Sequence, residues 1–286
     1  MTPSALAILL CMLSAVTVAA AGFFAKRGGD VLVARSVLSF GMALTVLPFA
    51  FFVPLPQIQH LHLFALASTV HWAYQFAMIS ALHRGDLSFV FPVMRGLGPL
   101  AAGLFAIFVL GENLSPAGWV GLLLASGAVI VFARPTGVHA HERHTDRQAL
   151  LFACLTAVGI GAYTVTDAFV VRNLPTPETF IVWLFLIDWT GVAVVAVARR
   201  RGRVISSFRP VMKDGLIGGI VGAISYSAAL YAFTLIDAAM VAALRETSVV
   251  FAAIMGAVWL KEGFGLRRIL AAGVMASGLI TMQVFG

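Results

Sequence analysis

Long apolar stretches follow one another along almost the whole chain. Each is close to the roughly 20 residues that a helix needs to cross a hydrocarbon core of about 30 Å. They are continuous rather than alternating, which indicates helices and not the strands of a barrel. The sequence therefore predicts an all-α integral membrane protein with ten transmembrane helices, near residues 3–24, 31–53, 61–82, 87–111, 116–133, 148–172, 177–198, 213–234, 238–260 and 265–285.

Charged residues are scarce and unevenly placed. Only 11% of the 286 residues are charged and 60% are hydrophobic, whereas soluble domains are about a quarter charged. This excludes a soluble enzyme, a nucleic-acid binder and a disordered scaffold. We number the connections between successive helices in chain order, so that connection 1 joins helices 1 and 2. The even-numbered connections hold a single Lys or Arg, Arg172. The odd-numbered connections hold Lys26, Arg27, Arg84, Arg134, Arg143, Arg147, Arg199, Arg200, Arg201, Arg203, Arg209, Lys213, Lys261, Arg267 and Arg268.

This asymmetry predicts the orientation, because basic connections stay in the cytoplasm. We expect both termini on the outside, periplasmic face of a bacterial inner membrane. The net charge of +7 then reflects topology, and no nucleic-acid partner is needed to explain it. The first apolar stretch lacks the positive segment that precedes a signal peptide, and its basic pair comes after the apolar run. We therefore expect a retained first helix.

The two halves of the chain resemble each other. The segment from Asp86 aligns with the segment from Asp237, which pairs Arg95 with Arg245 and Glu112 with Glu262. We therefore expect a first repeat over 1–133, a cytoplasmic linker over 134–147 and a second repeat over 148–286. Five helices per repeat is an odd number, so the second repeat must be inverted. Inverted repeats around a central cavity are typical of transporters that work by alternating access.

With these features the sequence resembles the drug/metabolite transporter superfamily, in its ten-helix EamA-type branch. The resemblance rests on the tandem repeat, on Arg35 early in helix 2, on Pro99 and on the Gly-Glu and Lys-Glu pairs that end helices 4 and 9. Val249 stands where the second repeat would answer Pro99. Among relatives the chain is most similar to the YddG-like amino acid exporters. The resemblance implies export of small metabolites, with amino acids, neutral and aromatic, the leading class.

Helix 3 carries a polar face. His71, Tyr74 and Gln75 are spaced three and four residues apart, which places them on one side of the helix beside Trp72. They fit either the lining of a substrate cavity or hydrogen bonds between helices. Tyr163, Trp183 and Tyr226 are further candidate substrate-binding residues.

Helix 4 combines an arginine with two helix-breaking prolines, Pro92 and Pro99. Arg95 is expected about a third of the way into the membrane, and no carboxylate of the other helices is evident at that depth. Two interpretations remain open. Arg95 binds a substrate carboxylate through its guanidinium, or it extends toward the cytoplasmic headgroups.

Four more ionisable residues are candidates for gating or coupling. Arg245 and Asp167 are expected at a similar external depth, where they form either a gate or a static ion pair. Glu246 points about 100° away from Arg245 on the same helix, so it needs a different neighbour. Asp188 either carries a proton or accepts hydrogen bonds from Ser or Thr.

Motifs for enzymatic chemistry are absent from the sequence. It has no P-loop, HExxH or GxSxG motif, so we expect no enzyme activity, no cofactor and no ATPase subunit. His139, His141 and His144 are read as a solvated loop rather than a metal site, and Cys11 and Cys154 as small apolar fillers. The expected partners are a small-molecule substrate and the lipid bilayer, for a monomer or a homodimer.

The function expected from these observations is secondary export by alternating access. Alternatives are a carrier of sugars, nucleotide sugars or toxic compounds, a passive pore, and an intramembrane enzyme acting on a lipid-linked substrate. An enzyme would need its catalytic groups at one depth, whereas the ionisable residues here are scattered and related by the repeat.

Overall fold

The computed structural model describes residues 2–25, 30–85, 87–133, 147–251, 254 and 266–285, which contain helices and no strand. We label the main helices α1 (Pro3–Ala25), α2 (Val31–Val46), α3 (Leu61–Arg84), α4 (Leu87–Leu110), α5 (Pro116–Ala133), α6 (Arg147–Asn173), α7 (Pro177–Arg199), α8 (Met212–Ala232), α9 (Ala238–Arg245) and α10 (Leu266–Phe285). Short helices lie at Leu47–Phe51, Ile58–His60, Val204–Phe208 and Arg209–Val211.

The predicted all-α membrane fold is confirmed, and most helix bounds lie within two residues of those expected from the apolar stretches. Helix α2 is an exception, because it ends at Val46 and a 3₁₀-helix follows over Leu47–Phe51. Pro48, in the first turn of that 3₁₀-helix, has no N–H to continue the α-helical pattern. Helix α9 ends at Arg245 rather than near residue 260, although most residues beyond 251 lie outside the described part.

Among the residues that the structure describes, six helices are long and apolar enough to cross a membrane, and α5 and α10 contain shorter apolar segments, Pro116–Val131 and Ile269–Phe285. The 24-residue α3 is not among the six. Its middle carries His71, Tyr74 and Gln75, which lower its hydropathy. The 24-residue helix that is not apolar enough for this criterion is therefore the one with the predicted polar face.

Local sequence signals explain several helix ends. The Asp30 carboxylate caps α2 by accepting bonds from the backbone N–H groups of Leu32 at 3.1 Å and Val33 at 3.3 Å. Gly111 follows α4 with a φ of +69°, a conformation that suits glycine because it has no Cβ. Both carboxylate oxygens of Glu112 then lie 2.9 Å from the N–H of Ala238. Glu112 thereby stabilises the first turn of α9.

Asp30 also forms an ion pair with Arg200, whose Nε lies 3.0 Å from Oδ2. This pair links the first residue before α2 with the residue after α7. Partial burial by itself would raise the pKa of Asp30. The Arg200 guanidinium and the backbone N–H groups of Val33 and Leu32 outweigh that effect and lower the pKa below its ordinary value. The ionised form of Asp30 is therefore favoured in the folded protein.

The chain forms two compact units, and neither coincides with one predicted repeat. Unit 1 contains Met1–Gln75 and Thr166–Ile236, and unit 2 contains Phe76–Val165 and Asp237–Gly286. Each unit thus combines helices from both halves of the sequence, and α3 and α6 contribute residues to both. The repeat boundaries at 1–133 and 148–286 stay a prediction.

Within unit 1, α1 and α2 pack against α8, and α2 also packs against α7. Glycines allow the closest approach, as is common where membrane helices pack together. A Cβ on Gly219 would lie 2.6 Å from the Cα of Gly41 in α2. The two backbones therefore touch at this crossing.

Within unit 2, α5 packs along α10 and against α4, and α9 packs against α4. The α5–α10 contact is again made by glycines, Gly121 and Gly278. A Cβ on Gly278 would lie 2.6 Å from the carbonyl oxygen of Gly121. A close α2–α8 pair in unit 1 thus has a counterpart in the α5–α10 pair of unit 2.

Candidate functional site

Two buried clusters of ionisable residues occur in the described part of the chain, one in each unit. In unit 1, His71 of α3 lies at the centre. Its Nε2 is 2.9 Å from Oδ2 of Asp167 in α6, and its Nδ1 is 4.0 Å from Oδ1 of Asp188 in α7. The imidazole therefore lies between two carboxylates. His71, Asp167 and Asp188 are 6%, 0% and 7% exposed.

Asp188 is held by an extended hydrogen-bond chain. The side-chain amide of Gln75 donates to both carboxylate oxygens at 2.9 Å. The carbonyl oxygen of Gln75 in turn accepts from Nε of Arg35 at 2.9 Å and from Ser39 at 3.4 Å. The completely buried side-chain amide of Gln75 therefore links Arg35 of α2 to Asp188 by hydrogen bonds.

Asp167 has a different environment. Its Oδ2 accepts hydrogen bonds from Tyr226 of α8, at 2.5 Å, as well as from His71. Its Oδ1 is buried and has no hydrogen-bond partner among the described residues. One oxygen of this carboxylate is therefore fully engaged, while the other lacks the compensation that a buried polar atom requires.

Aromatic side chains border this cluster. The Tyr226 ring lies edge-on to His71 with 5.7 Å between ring centroids, and 6.0 Å from the ring of Phe185. The Trp72 indole donates to the backbone carbonyl of Asp188 at 2.8 Å. Gly191 makes room for it, because a Cβ there would lie 2.5 Å from Nε1 of Trp72.

We call these residues the His71 network: Arg35, His71, Gln75, Asp167, Asp188 and Tyr226. Five of them, all except Arg35, are predicted from the sequence as separate substrate-binding or gating residues on α3, α6, α7 and α8, and the structure brings them together. Arg35 was noted in the sequence only as a feature of the resemblance. Its contact with Gln75 could not be read from helix periodicity, because that periodicity gives the face of each helix but not its neighbour.

The second cluster lies in unit 2 and joins α4 to the end of α9. Nε of Arg95 is 3.1 Å from Oε2 of Glu246, within ion-pair distance but without the alignment of a hydrogen bond. The guanidinium also donates to the hydroxyl of Ser248 at 2.5 Å. Glu246 is 4% exposed. The expectation that no carboxylate lies at the depth of Arg95 is therefore wrong, and Arg95 is the different neighbour that Glu246 required.

The backbone of α9 is interrupted where this pair forms. Glu246 and Thr247 are turn residues, and their N–H groups bond to carbonyls three residues back instead of four. The N–H groups of Val249 and Val250 do the same. A 3₁₀ stretch inside a helix is often a hinge or a strained site. No proline or glycine marks this interruption in the sequence.

The remaining candidates take other positions. Pro92 and Pro99 lie inside α4, as predicted. Tyr74 is half-buried in unit 1, and Tyr163 is buried in unit 2. Trp183 is half-buried in α7, and its Nε1 has no hydrogen-bond partner among the described residues. Arg245 is 9% exposed. Its pairing with Asp167 would join residues of different units and stays a prediction.

Metal binding has no candidate site in the part of the chain that the structure describes. His139, His141 and His144 lie outside that part, as do Asp86 and Glu262 of the repeat alignment. Cys11 is buried and Cys154 half-buried, and neither forms a disulfide.

Comparison with known proteins gives the family. The EamA-like transporter family matches the chain over residues 5–134 and 147–283. Among curated proteins, none matches. One solved structure, described only as the crystal structure of a protein, aligns with 99% of this chain and 99% of its own, with a TM-score of 0.75 and 19% identity. That likeness concerns the fold alone. Because the family match spans nearly the whole chain, the protein belongs to the EamA-like transporters of the drug/metabolite transporter superfamily and is a membrane transporter.

Proposed function

We propose that this transporter exports amino acids, neutral and aromatic ones foremost, across the bacterial inner membrane by alternating access. The observation that carries the substrate class is the buried Arg95–Glu246 pair. An amino acid zwitterion has one carboxylate and one ammonium group. A guanidinium and a carboxylate 3.1 Å apart offer one partner for each of them.

The geometry of this pair supports exchange of partners. Arg95 and Glu246 are close but not aligned for a hydrogen bond, so better-aligned bonds to a ligand are available to both groups. The interruption of α9 at Glu246 supplies a place where the backbone can adjust. The Phe91 ring lies 5.9 Å from the Arg95 guanidinium carbon, and apolar and aromatic surroundings favour neutral and aromatic side chains.

The proposed orientation rests on the Lys and Arg distribution. With the odd-numbered connections in the cytoplasm, both termini lie in the periplasm. Single cysteines introduced at Thr2 and at Glu178, in Cys-free protein, would both react with a membrane-impermeant maleimide in intact cells. Protection of both until the cells are opened would reverse the orientation.

Counterflow in liposomes tests the function. Purified protein is reconstituted into vesicles preloaded with unlabelled L-phenylalanine, and uptake of labelled L-phenylalanine is measured. The same assay is then run with each member of a panel of amino acids, sugars, nucleotide sugars and cationic dyes in place of L-phenylalanine. We expect saturable uptake of neutral and aromatic amino acids. Counterflow of another class alone would overturn the amino acid assignment. Unsaturable flux would indicate a pore.

Analogues that lack one charge test the role of the pair. Phenethylamine lacks the carboxylate and 3-phenylpropionate lacks the ammonium group. Each charge-assisted hydrogen bond is worth about 1.5–3 kcal/mol, or roughly 10–150-fold in affinity. Arg95→Gln should weaken the binding of phenylalanine by such a factor and leave that of phenethylamine almost unchanged. Glu246→Gln should weaken the binding of phenylalanine similarly and leave that of 3-phenylpropionate almost unchanged.

Removing one partner of a buried pair can destabilise the fold by about 3–5 kcal/mol. The double variant Arg95→Gln with Glu246→Gln removes both charges and avoids that cost, and it should lose discrimination between the three compounds. Arg84→Ala is the matched control, because Arg84 is an exposed arginine of the same unit, packed on the Phe152 ring. Equal losses for all three compounds in Arg95→Gln would reject the role of Arg95.

A further inference from the structure

The His71 network holds more ionisable groups than a packing role requires. Five helices each contribute to it: α2 with Arg35, α3 with His71, α6 with Asp167, α7 with Asp188 and α8 with Tyr226. Ionisable side chains inside a membrane are costly and usually belong to ion or proton pathways. The Arg95–Glu246 pair already accounts for the zwitterion in the proposed function, so the network is available for a second ligand.

We propose that His71, Asp167 and Asp188 form the binding site for one exchangeable proton, and that an amino acid leaves the cell as this proton enters. The inference rests on the proposed function for its substrate. The site itself rests on the contacts and charges of unit 1.

The charge count of the network gives the number of protons. Arg35 is permanently charged, because a guanidinium does not lose its proton in proteins. The two carboxylates together carry two negative charges when ionised, and a neutral His71 leaves one of them unbalanced. One added proton makes the network neutral. A second would leave it with a net positive charge in a buried site, which is unfavourable.

The positions of the two imidazole nitrogens allow this proton to move. When His71 is protonated, Nε2–H donates to Oδ2 of Asp167 at 2.9 Å, and Nδ1–H faces Asp188 at 4.0 Å. Transfer breaks the Nε2–H bond and forms an O–H bond on Asp167. The histidine is then neutral, with its remaining proton on Nδ1. When the site opens to water, Asp167 releases the proton to a water molecule and becomes ionised.

The two carboxylates differ in their hydrogen-bond partners. Both oxygens of Asp188 accept from Gln75, which Arg35 polarises from its other side. Only one oxygen of Asp167 has partners. Asp188 is therefore the fixed counter-charge of the network, and Asp167 is the group that exchanges the proton.

Coupling requires that proton and substrate favour different states of the carrier. Linkage is reciprocal, so substrate binding must weaken proton binding by the same factor by which the proton weakens substrate binding. Substrate affinity should therefore fall as the network becomes protonated. Within unit 1, Tyr226 links Asp167 to α7, because its hydroxyl bonds Asp167 while its ring packs on Phe185.

The experiment uses the complete protein in liposomes that contain a pH-sensitive dye, with the membrane potential clamped by K⁺ and valinomycin. Wild-type protein is expected to accumulate L-phenylalanine against its gradient when a proton gradient is imposed, and to move protons when a phenylalanine gradient is imposed. Counterflow without any proton gradient is measured in the same vesicles. If wild-type protein shows counterflow but moves no protons under the phenylalanine gradient, the proton site is overturned and the proposed function remains intact.

Two amide variants separate coupling from transport. Asp167→Asn and His71→Gln keep a polar side chain of similar size but cannot take up the proton. We expect gradient-driven accumulation to fall at least about tenfold more than counterflow does in the same vesicles. Glu178→Gln is the control, because Glu178 is an exposed carboxylate at the start of α7. Undiminished gradient-driven accumulation in both amide variants would refute the proposal.

Infrared spectroscopy tests the site independently of the substrate. Between about pH 5 and about pH 8, the range in which histidine-linked protons exchange, wild-type protein should lose one protonated-carboxyl band. Glu178→Gln should retain this change, and Asp167→Asn should lack it. If Asp167→Asn does not fold, His71→Gln is expected to shift the pH at which the band changes. If wild-type protein shows no such band, or if neither variant alters it, Asp167 is not the exchanging group. Absence of all counterflow in wild type would instead refute the proposed function.

Discussion

Substituting one glycine of α10 should destabilise the protein, whereas substituting another should not. A Cβ on Gly278 would lie 2.6 Å from the carbonyl oxygen of Gly121 and 2.8 Å from the backbone nitrogen of Ala125. A Cβ on Gly273, five residues earlier in the same helix, would have no atom within 4 Å. The two positions therefore share their helix and differ in their contacts.

The magnitude follows from these distances. Ordinary van der Waals contact begins near 3.4 Å, so α5 and α10 have to separate by about 0.8 Å to accommodate Gly278→Ala. A gap of about 0.5–1 Å loses a quarter to a half of each dispersion contact, and overpacking typically costs about 1–3 kcal/mol. Replacing glycine by alanine within a helix stabilises it by up to about 1 kcal/mol. Gly273→Ala should thus be neutral or slightly stabilising.

Thermal unfolding in detergent is measured as the fraction of protein that stays monodisperse while the temperature rises. At about 2–4 °C per kcal/mol for chains somewhat shorter than this one, Gly278→Ala should unfold at least about 2 °C below Gly273→Ala. Gly121→Ala should reproduce the loss, because its Cβ would lie 2.5 Å from the carbonyl oxygen of Gly278. Equal unfolding temperatures for Gly278→Ala and Gly273→Ala would refute the close α5–α10 contact.

Three further predictions concern contacts in which one residue orients another. Asp30→Asn should lower stability by at most about 1 kcal/mol, as for a partly exposed ion pair. Because the folded-state pKa of Asp30 is lowered, this difference from wild type is full at neutral pH and disappears as the pH falls below about 4. Glu112→Ala removes the acceptor at the first turn of α9 and should cost about 0.5–2 kcal/mol of stability. Gly191→Ala should displace the Trp72 indole and shift its fluorescence.

Each of these predictions has a contrasting measurement. A stability difference between wild type and Asp30→Asn that persists in acid would show that Arg200 does not favour the ionised form. For Glu112, the conservative variant Glu112→Gln keeps an acceptor oxygen and should recover part of the lost stability, while no recovery would argue against capping. Trp72→Phe should abolish the fluorescence shift caused by Gly191→Ala. If the shift remains, another tryptophan is responsible.

The fold could largely be predicted from the sequence because membrane spans are set by length and apolarity. Helices such as α6 and α7 begin and end within a residue of the expected bounds. The end of α2 was missed, although Pro48 was a visible signal for it. The interruption of α9 had no such signal, since Glu246 and Thr247 are compatible with a helix and tertiary contacts decide their conformation.

The candidate residues could be predicted, but their partners could not. Any ionisable residue in a transmembrane helix is a candidate for function, and this identified His71, Asp167 and Asp188 individually. Which of them meet depends on helix neighbours and rotation, to which the sequence gives no direct access. The repeat alignment pairs Arg95 with Arg245, whereas in the structure Arg95 contacts Glu246, the residue after Arg245.

Proton release on substrate binding tests most directly whether the two clusters work together. Purified protein in weakly buffered detergent solution is titrated with L-phenylalanine while a pH indicator counts the protons released. We predict release approaching one proton for each amino acid bound by wild-type protein, and none for Asp167→Asn with binding retained. Saturable binding by wild-type protein without any proton release would contradict the coupling of the His71 network to the Arg95–Glu246 pair.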